Sequence, residues 1–139
     1  MPKTKEFSVH MEDEPGTLAT VCRALAESRV NILAFQSIPW EEGESLVRLV
    51  VDNPTTAKSV LNAQKFRYKE AEVVQVKLPN RPGELASAAS QLGEADININ
   101  YAYCGSDPDT NAPLLIFGVA DVGRAVKILD KAAAAAAGA

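Results

Sequence analysis

Apolar and polar residues alternate along "FSVHM" (7–11), placing Phe7, Val9 and Met11 on one face and predicting a half-buried β-strand. Past Pro15 the rhythm changes. Leu18, Val21, Cys22 and Leu25 follow the i, i+3, i+4, i+7 spacing of an amphipathic helix. "VNILAFQSI" and "SLVRLVV" are β-rich again, split by the turn signal "PWEEGE". "TTAKSVLNA" predicts a short second helix with Ala57, Val60 and Leu61 inward, and "KFRY" a fourth strand. The order is β-α-β-β-α-β, a ferredoxin-like unit with an antiparallel sheet and both helices on one face. The other face would be open to a partner.

The pattern then begins again. Pro15 and Gly16 recur as Pro82 and Gly83, a shift of 67 that also carries Leu18 onto Leu85, Leu25 onto Leu92 and Asn31 onto Asn98. Further on the shift is 68, with Leu46 on Leu114, Val51 on Val119 and Leu61 on Leu129. One extra residue has entered the second copy, in "GSDPDTNAP". The chain is a tandem duplication of class α+β, with units expected at 1–70 and 71–139. The second copy ends in "AAAAAAGA" (132–139) where its fourth strand should stand. Alanine favours helix over strand, so the last helix is expected to run on or the tail to fray. That leaves the unit one strand short, for a neighbouring copy or a second chain to complete.

In each copy the proline is expected just inside a helix, at a position with no N–H to satisfy. That would make Glu14 and Arg81 the N-caps, neither of them a favoured capping residue. First-turn amides at Gly16, Thr17, Gly83 and Glu84 would then need other partners. Asp13 and Asn80 are candidates, folding back as pseudo-caps; a bound carboxylate is another, drawn by the positive end of the helix. Glycine would let such a ligand approach closely. Asn31 and Asn98 recur at the helix-to-strand junction. Each would either take a left-handed turn or present its amide to a zwitterion beside the loop.

The duplicated unit of about seventy residues, with "DEPGTLA" and "NRPGELA" each followed by an Asn-Ile strand, resembles ACT domains, regulatory modules that bind amino acids. The resemblance spans Lys5 to about Lys131 and is nearest to small free-standing proteins of two such domains. The first copy, with "EDEPGTL", also resembles the regulatory subunit of acetolactate synthase. The resemblance implies a sheet shared between domains and an effector held where two domains meet. By motif position it carries the ligand role to Asn80, Arg81, Pro82, Gly83, Glu84, Leu85 and Asn98, and to Asp13, Glu14, Pro15, Gly16, Thr17 and Asn31. The histidine that some serine-binding members place two residues before the loop asparagine is Leu78 here, and Met11 in the first copy. Asp13 would repel a ligand carboxylate, so the second site is expected to be the better one, with Asp13 holding an amine or merely capping its helix.

Composition narrows the rest. A net charge of −4 argues against nucleic acid, and no run is long and apolar enough for a bilayer. "MPKTKEF" lacks the apolar stretch of a secretory signal, and Cys22 and Cys104 form no CxxC pair; a cytoplasmic protein with reduced thiols is expected. His10 is the sole histidine, read as a surface or interface residue. Cys22 is read as a core thiol, Tyr101 and Tyr103 as sharing one strand face, and Trp40 as a turn aromatic buried under a partner domain. "GSDPDTNA" lacks the ligand alternation of a calcium loop and reads as an acidic turn. No nucleophile–base pair or phosphate loop is visible, so no enzyme activity, cofactor or metal is expected. The expected role is a sensor binding a small amino acid as a homodimer; the alternative is a regulatory subunit of a biosynthetic enzyme.

Overall fold

The computed structural model describes the backbone of residues 2–138 and the side chains of residues 2–130. Its elements follow the duplicated order: β1 (Lys3–Glu12), α1 (Thr17–Glu27), β2 (Ile32–Pro39), β3 (Glu44–Val51), α2 (Pro54–Ala63) and β4 (Arg67–Lys77), then α3 (Glu84–Glu94), β5 (Tyr101–Ser106), β6 (Pro113–Gly118) and α4 (Val122–Gly138). The chain forms two compact units. Lys5–Ala71 is one, and Glu72–Ala139 together with Met1–Thr4 is the other.

In the first unit β3 lies between β1 and β2, antiparallel to both, with Val9 opposite Val47 and Phe35 opposite Leu49. The start of β4 flanks β1, where the Tyr68 ring meets Phe7 edge-on at 5.8 Å and Lys5 pairs with Glu70 at 3.6 Å. The predicted apolar stripes converge here. Phe7, Val9, Val21, Leu25, Val47, Leu49, Ala57 and Leu61 form the core, and Cys22 packs at its margin. Burial pushes the Cys22 thiol pKa up, as a core position demands. Helix α2 begins as its sequence directs: Pro54 opens it, and the Asn53 side chain accepts from the Thr56 amide.

The second unit repeats this plan. β6 lies between β4 and β5, and Val74, Val76, Ala88, Leu92, Phe117, Ala125 and Leu129 build its core. Helix α4 does run on through the alanines, so no fourth strand comes from that end. The head of the chain takes the place instead. The Gln75 amide donates to the Pro2 carbonyl at 2.8 Å, and Lys3 pairs with Glu72 at 3.6 Å. β1, a strand of the first copy, thus lends its first residues to this sheet, which meets the expectation that a neighbouring copy would complete it. The reason is length: β1 and β4 run for 10 and 11 residues, longer than one unit's sheet requires.

The sheet faces turned from the helices were expected to be open. In the first unit, however, Ala34, Leu46 and Val50 are buried, and in the second Val73, Leu114 and Ile116 are as well.

Candidate functional site

The two Pro-Gly loops have the same backbone. In each, an amide reaches back two residues, Glu14 to the Glu12 carbonyl and Arg81 to the Pro79 carbonyl. Next, Thr17 and Glu84 donate to the carbonyls of Glu14 and Arg81, closing turns with Pro and Gly in the middle. Gly16 lies at φ 91°, ψ −11° and Gly83 at φ 89°, ψ −11°, the third position of a type II turn, which requires positive φ. The glycines themselves are therefore the N-caps, and the helices begin at Thr17 and Glu84. This corrects the expectation of Glu14 and Arg81 as caps with proline inside the helix. The turn's own hydrogen bond outcompetes an earlier helix start. No side chain caps either helix, so Asp13 and Asn80 are not pseudo-caps.

What surrounds the loops differs. In the first, the Ser45 hydroxyl donates to Asp13 Oδ1 at 2.8 Å, and the Asp13 amide donates to the Gly43 carbonyl. The residue at the position of Ser45 in the second copy is Pro113, fixed by the pairing of Leu78 with Pro113. Proline has no hydroxyl to donate. Among the described residues the Asn80 carboxamide has no hydrogen-bond partner, and it borders a cavity of about 460 Å³. Asn80, Arg81, Glu84 and Leu85 line one wall; Cys104, Ser106, Asn111 and Pro113 line the other. Arg81 holds Glu84 through Nε and Nη2 at 2.9 and 2.6 Å, fixing an exposed cation at the rim.

The segment that holds the extra residue contributes Ser106, Asn111 and Pro113 to this wall. Asp107 is buried, takes bonds from the Thr110 amide and hydroxyl at 3.0 and 2.7 Å, and pairs with Lys77 at 3.1 Å. The Thr110 hydroxyl foremost, and Lys77 with it, hold its carboxyl below the usual carboxylate range against the opposing effect of burial. "DPDTN" is thus a self-bonded turn, and no cluster of three acidic, His or Cys side chains able to hold a metal occurs among the described residues.

The asparagines do not join the loops within a unit. β1 and β2 run parallel on either side of β3, as do β4 and β5 on either side of β6, so each loop and each second strand start lie at opposite ends of a sheet. Ser106 and Pro113 pair at the loop end, and Tyr101 and Gly118 at the other, five residues or roughly 17 Å away at about 3.3 Å per residue. Asn98 donates to Asn100 Oδ1 at 2.9 Å; the Asn31 amide donates to Asp52 Oδ1 at 2.9 Å, and its carbonyl accepts from the Asp52 amide. Nor do these asparagines take the left-handed turns. Arg29 (φ 59°) and Asp96 (φ 60°) do so two residues earlier, closing each helix with a Schellman motif.

Residues 3–135 match the family described as the ACT domain pair. The chain belongs to that family. Among solved structures this ACT domain pair is similar to a protein of Bacteroides thetaiotaomicron, at 23% identity over 94% of this chain and 88% of that one, with a TM-score of 0.82. It is also similar to the ligand-free regulatory subunit of aspartate kinase from Thermus thermophilus (15% identity; 94% and 92% covered; TM-score 0.64) and to that from Thermus flavus (14%; 95% and 93%; 0.60). At these identities the likeness is one of fold. No curated protein matches the sequence.

Sequence reasoning on this ACT pair missed the far wall of the cavity, Cys104, Ser106, Asn111 and Pro113. The available signal was Pro113 aligned on Ser45, beside the extra residue. Pro82 and Gly83 shape the loop without lining the cavity. Trp40 is 48% exposed in the single chain and lies 5.8 Å from the Arg48 guanidinium, a cation–π contact. His10 lines a separate cavity of about 240 Å³ with Glu41, Glu44 and Arg67.

Proposed function

We propose that this ACT domain pair is a non-catalytic regulatory module that binds a small amino acid at the second Pro-Gly loop. One observation carries the reading: a carboxamide without a partner among the described residues, Asn80, borders a roomy cavity beside an uncapped helix start. A zwitterion suits it. The amide can donate to a carboxylate and accept from an ammonium, and the helix start favours negative charge. In the first copy Ser45 already occupies Asp13, so Asp13, Glu14, Pro15, Gly16 and Thr17 form the weaker site. Asn31 and Asn98 stand apart from this cavity.

Regulation follows from linkage: a ligand shifts an equilibrium only by the difference in its affinity for two states. A second reading, a subunit docking on a biosynthetic enzyme as a dimer, is favoured by exposed aromatics in the first unit, Phe35 at 54% and Trp40 at 48%. Aspartate kinase regulatory subunits, which share the fold, set the precedent.

The test is a thermal-shift screen of the proteinogenic amino acids on the full chain and on Asn80→Ala. One or a few should raise Tm in the wild type, and the shift should collapse in the variant. If none raises Tm, the reading fails. Co-purification from the source cell separates the two roles, because a docking subunit brings its enzyme.

A further inference from the structure

The cavity at the second loop has an annex. A smaller recess of about 170 Å³ adjoins it, sharing Leu85, Cys104 and Leu115, and continues over Ala102 and Phe117. The two recesses differ in chemistry. Asn80, Arg81, Glu84, Ser106 and Asn111 border the larger, whereas apart from the Tyr103 hydroxyl and the Cys104 thiol the annex is lined by hydrocarbon side chains. The larger can hold a charged head group, and the smaller offers a polar group few protein partners.

The first copy shows why the annex exists. By repeat position and by strand register, Phe35, opposite Leu49 in β2, stands where Ala102, opposite Phe117, stands in β5. A phenyl ring in one copy is a methyl group in the other. That removes most of a large side chain from the strand face beside Leu85, and Leu85 is left 55% exposed at its lip. The recess, about 170 Å³, has room for a branched or aromatic side chain, and a hydroxymethyl group would leave much of it unfilled.

We infer that the annex holds the side chain of the bound amino acid, and that this side chain is apolar and branched or aromatic. The inference rests on the proposed amino-acid site and adds its specificity. The Asn80 end holds the ammonium and carboxylate, while Leu85, Ala102, Leu115 and Phe117 enclose the hydrocarbon. Burying that hydrocarbon separates the ligand from serine or aspartate.

The experiment is isothermal titration of the full chain with L-leucine, L-phenylalanine, L-alanine, L-serine and L-aspartate, repeated on Ala102→Phe. Leucine or phenylalanine should bind at least tenfold more tightly than serine and aspartate. Ala102→Phe, at an exposed position, should cost that ligand tenfold or more and leave alanine nearly unchanged. Tighter binding of serine or aspartate overturns the inference while leaving the amino-acid site standing. Unchanged leucine and phenylalanine affinities in Ala102→Phe overturn it too, and no binding of any amino acid overturns both. A labelling assay avoids dependence on the variant. In Cys22→Ala protein, the exposed Cys104 thiol should be shielded from iodoacetamide by leucine or phenylalanine. Equal shielding by serine, or no shielding by any of these, is the contrary result.

Discussion

The two copies share a turn whose glycine dihedrals agree within a few degrees, yet they present different surfaces. In the first, Ser45 ties Asp13 down and Phe35 stands opposite Leu49; in the second, Pro113 cannot donate, Asn80 keeps its amide, and Ala102, opposite Phe117, leaves space. Backbone geometry was retained, and three side-chain differences at matched positions distinguish a loop tied down by Ser45 from one that borders a cavity. A fourth pair shows compensation. Tyr101 lies across Gly118 in the second copy, where the first has Ala34 opposite Val50. Bulk has moved from one strand to its neighbour.

The strongest tests ask whether matched positions do matched work. Leu25 and Leu92 are both fully buried on equivalent helices, so each truncation to alanine should cost about 2–5 kcal/mol in denaturant unfolding. A markedly smaller loss in one copy would show that the two cores are not equivalent. Next is the exchanged pair. A Cβ added at Gly118 would lie 2.2 Å from Tyr101 Cζ, so Gly118→Val should cost about 1–3 kcal/mol by displacing the ring. Adding Tyr101→Ala, which restores the small–large arrangement of Ala34 and Val50, should recover part of that loss, a coupling a double-mutant cycle reads directly.

The shared turns predict a smaller and equal effect. Gly16→Ala and Gly83→Ala meet no atom within 4 Å, so their cost is purely conformational, about 1–2 kcal/mol in either copy. Unequal losses would mean that the loops are not the same device. Smaller still is Ser45→Ala, at about 0.5–1.5 kcal/mol for the bond to Asp13. Its converse, Pro113→Ser, should offer Asn80 a competing hydroxyl and weaken amino-acid binding without lowering Tm.

The inserted turn gives the pH dependence. Asp107 has a lowered folded pKa, so its contribution is present above the ordinary carboxylate pKa of about 4 and is lost as pH falls through the folded value. The Tm gap between wild type and Asp107→Asn should hold at neutral pH and close in acid. A gap that widens on acidification would contradict the assignment.

Much of this was legible in the sequence. The stripes through Val21 and Leu25, and the alternation through Phe7 and Val9, placed helices and strands because burial imposes those two periods. The Pro-Gly repeat marked the loops. The helix starts were misplaced because propensity favours proline at the first helical position, while the hydrogen bond of a type II turn places it one residue before the glycine cap. The cavity's far wall escaped notice because Cys104 and Asn111 meet Asn80 through strand pairing, across some two dozen to thirty residues of chain.

By itself the sequence determined the duplication, the order of elements, the core residues and the family, because apolar periodicity and turn chemistry are local. Only the tertiary structure decided that the chain's own head flanks β4, that Asn31 and Asn98 lie far from their loops, and that the second loop opens on a cavity while Ser45 binds Asp13 in the first. Those outcomes depend on register and on which strands become neighbours, and no local stretch of residues encodes them.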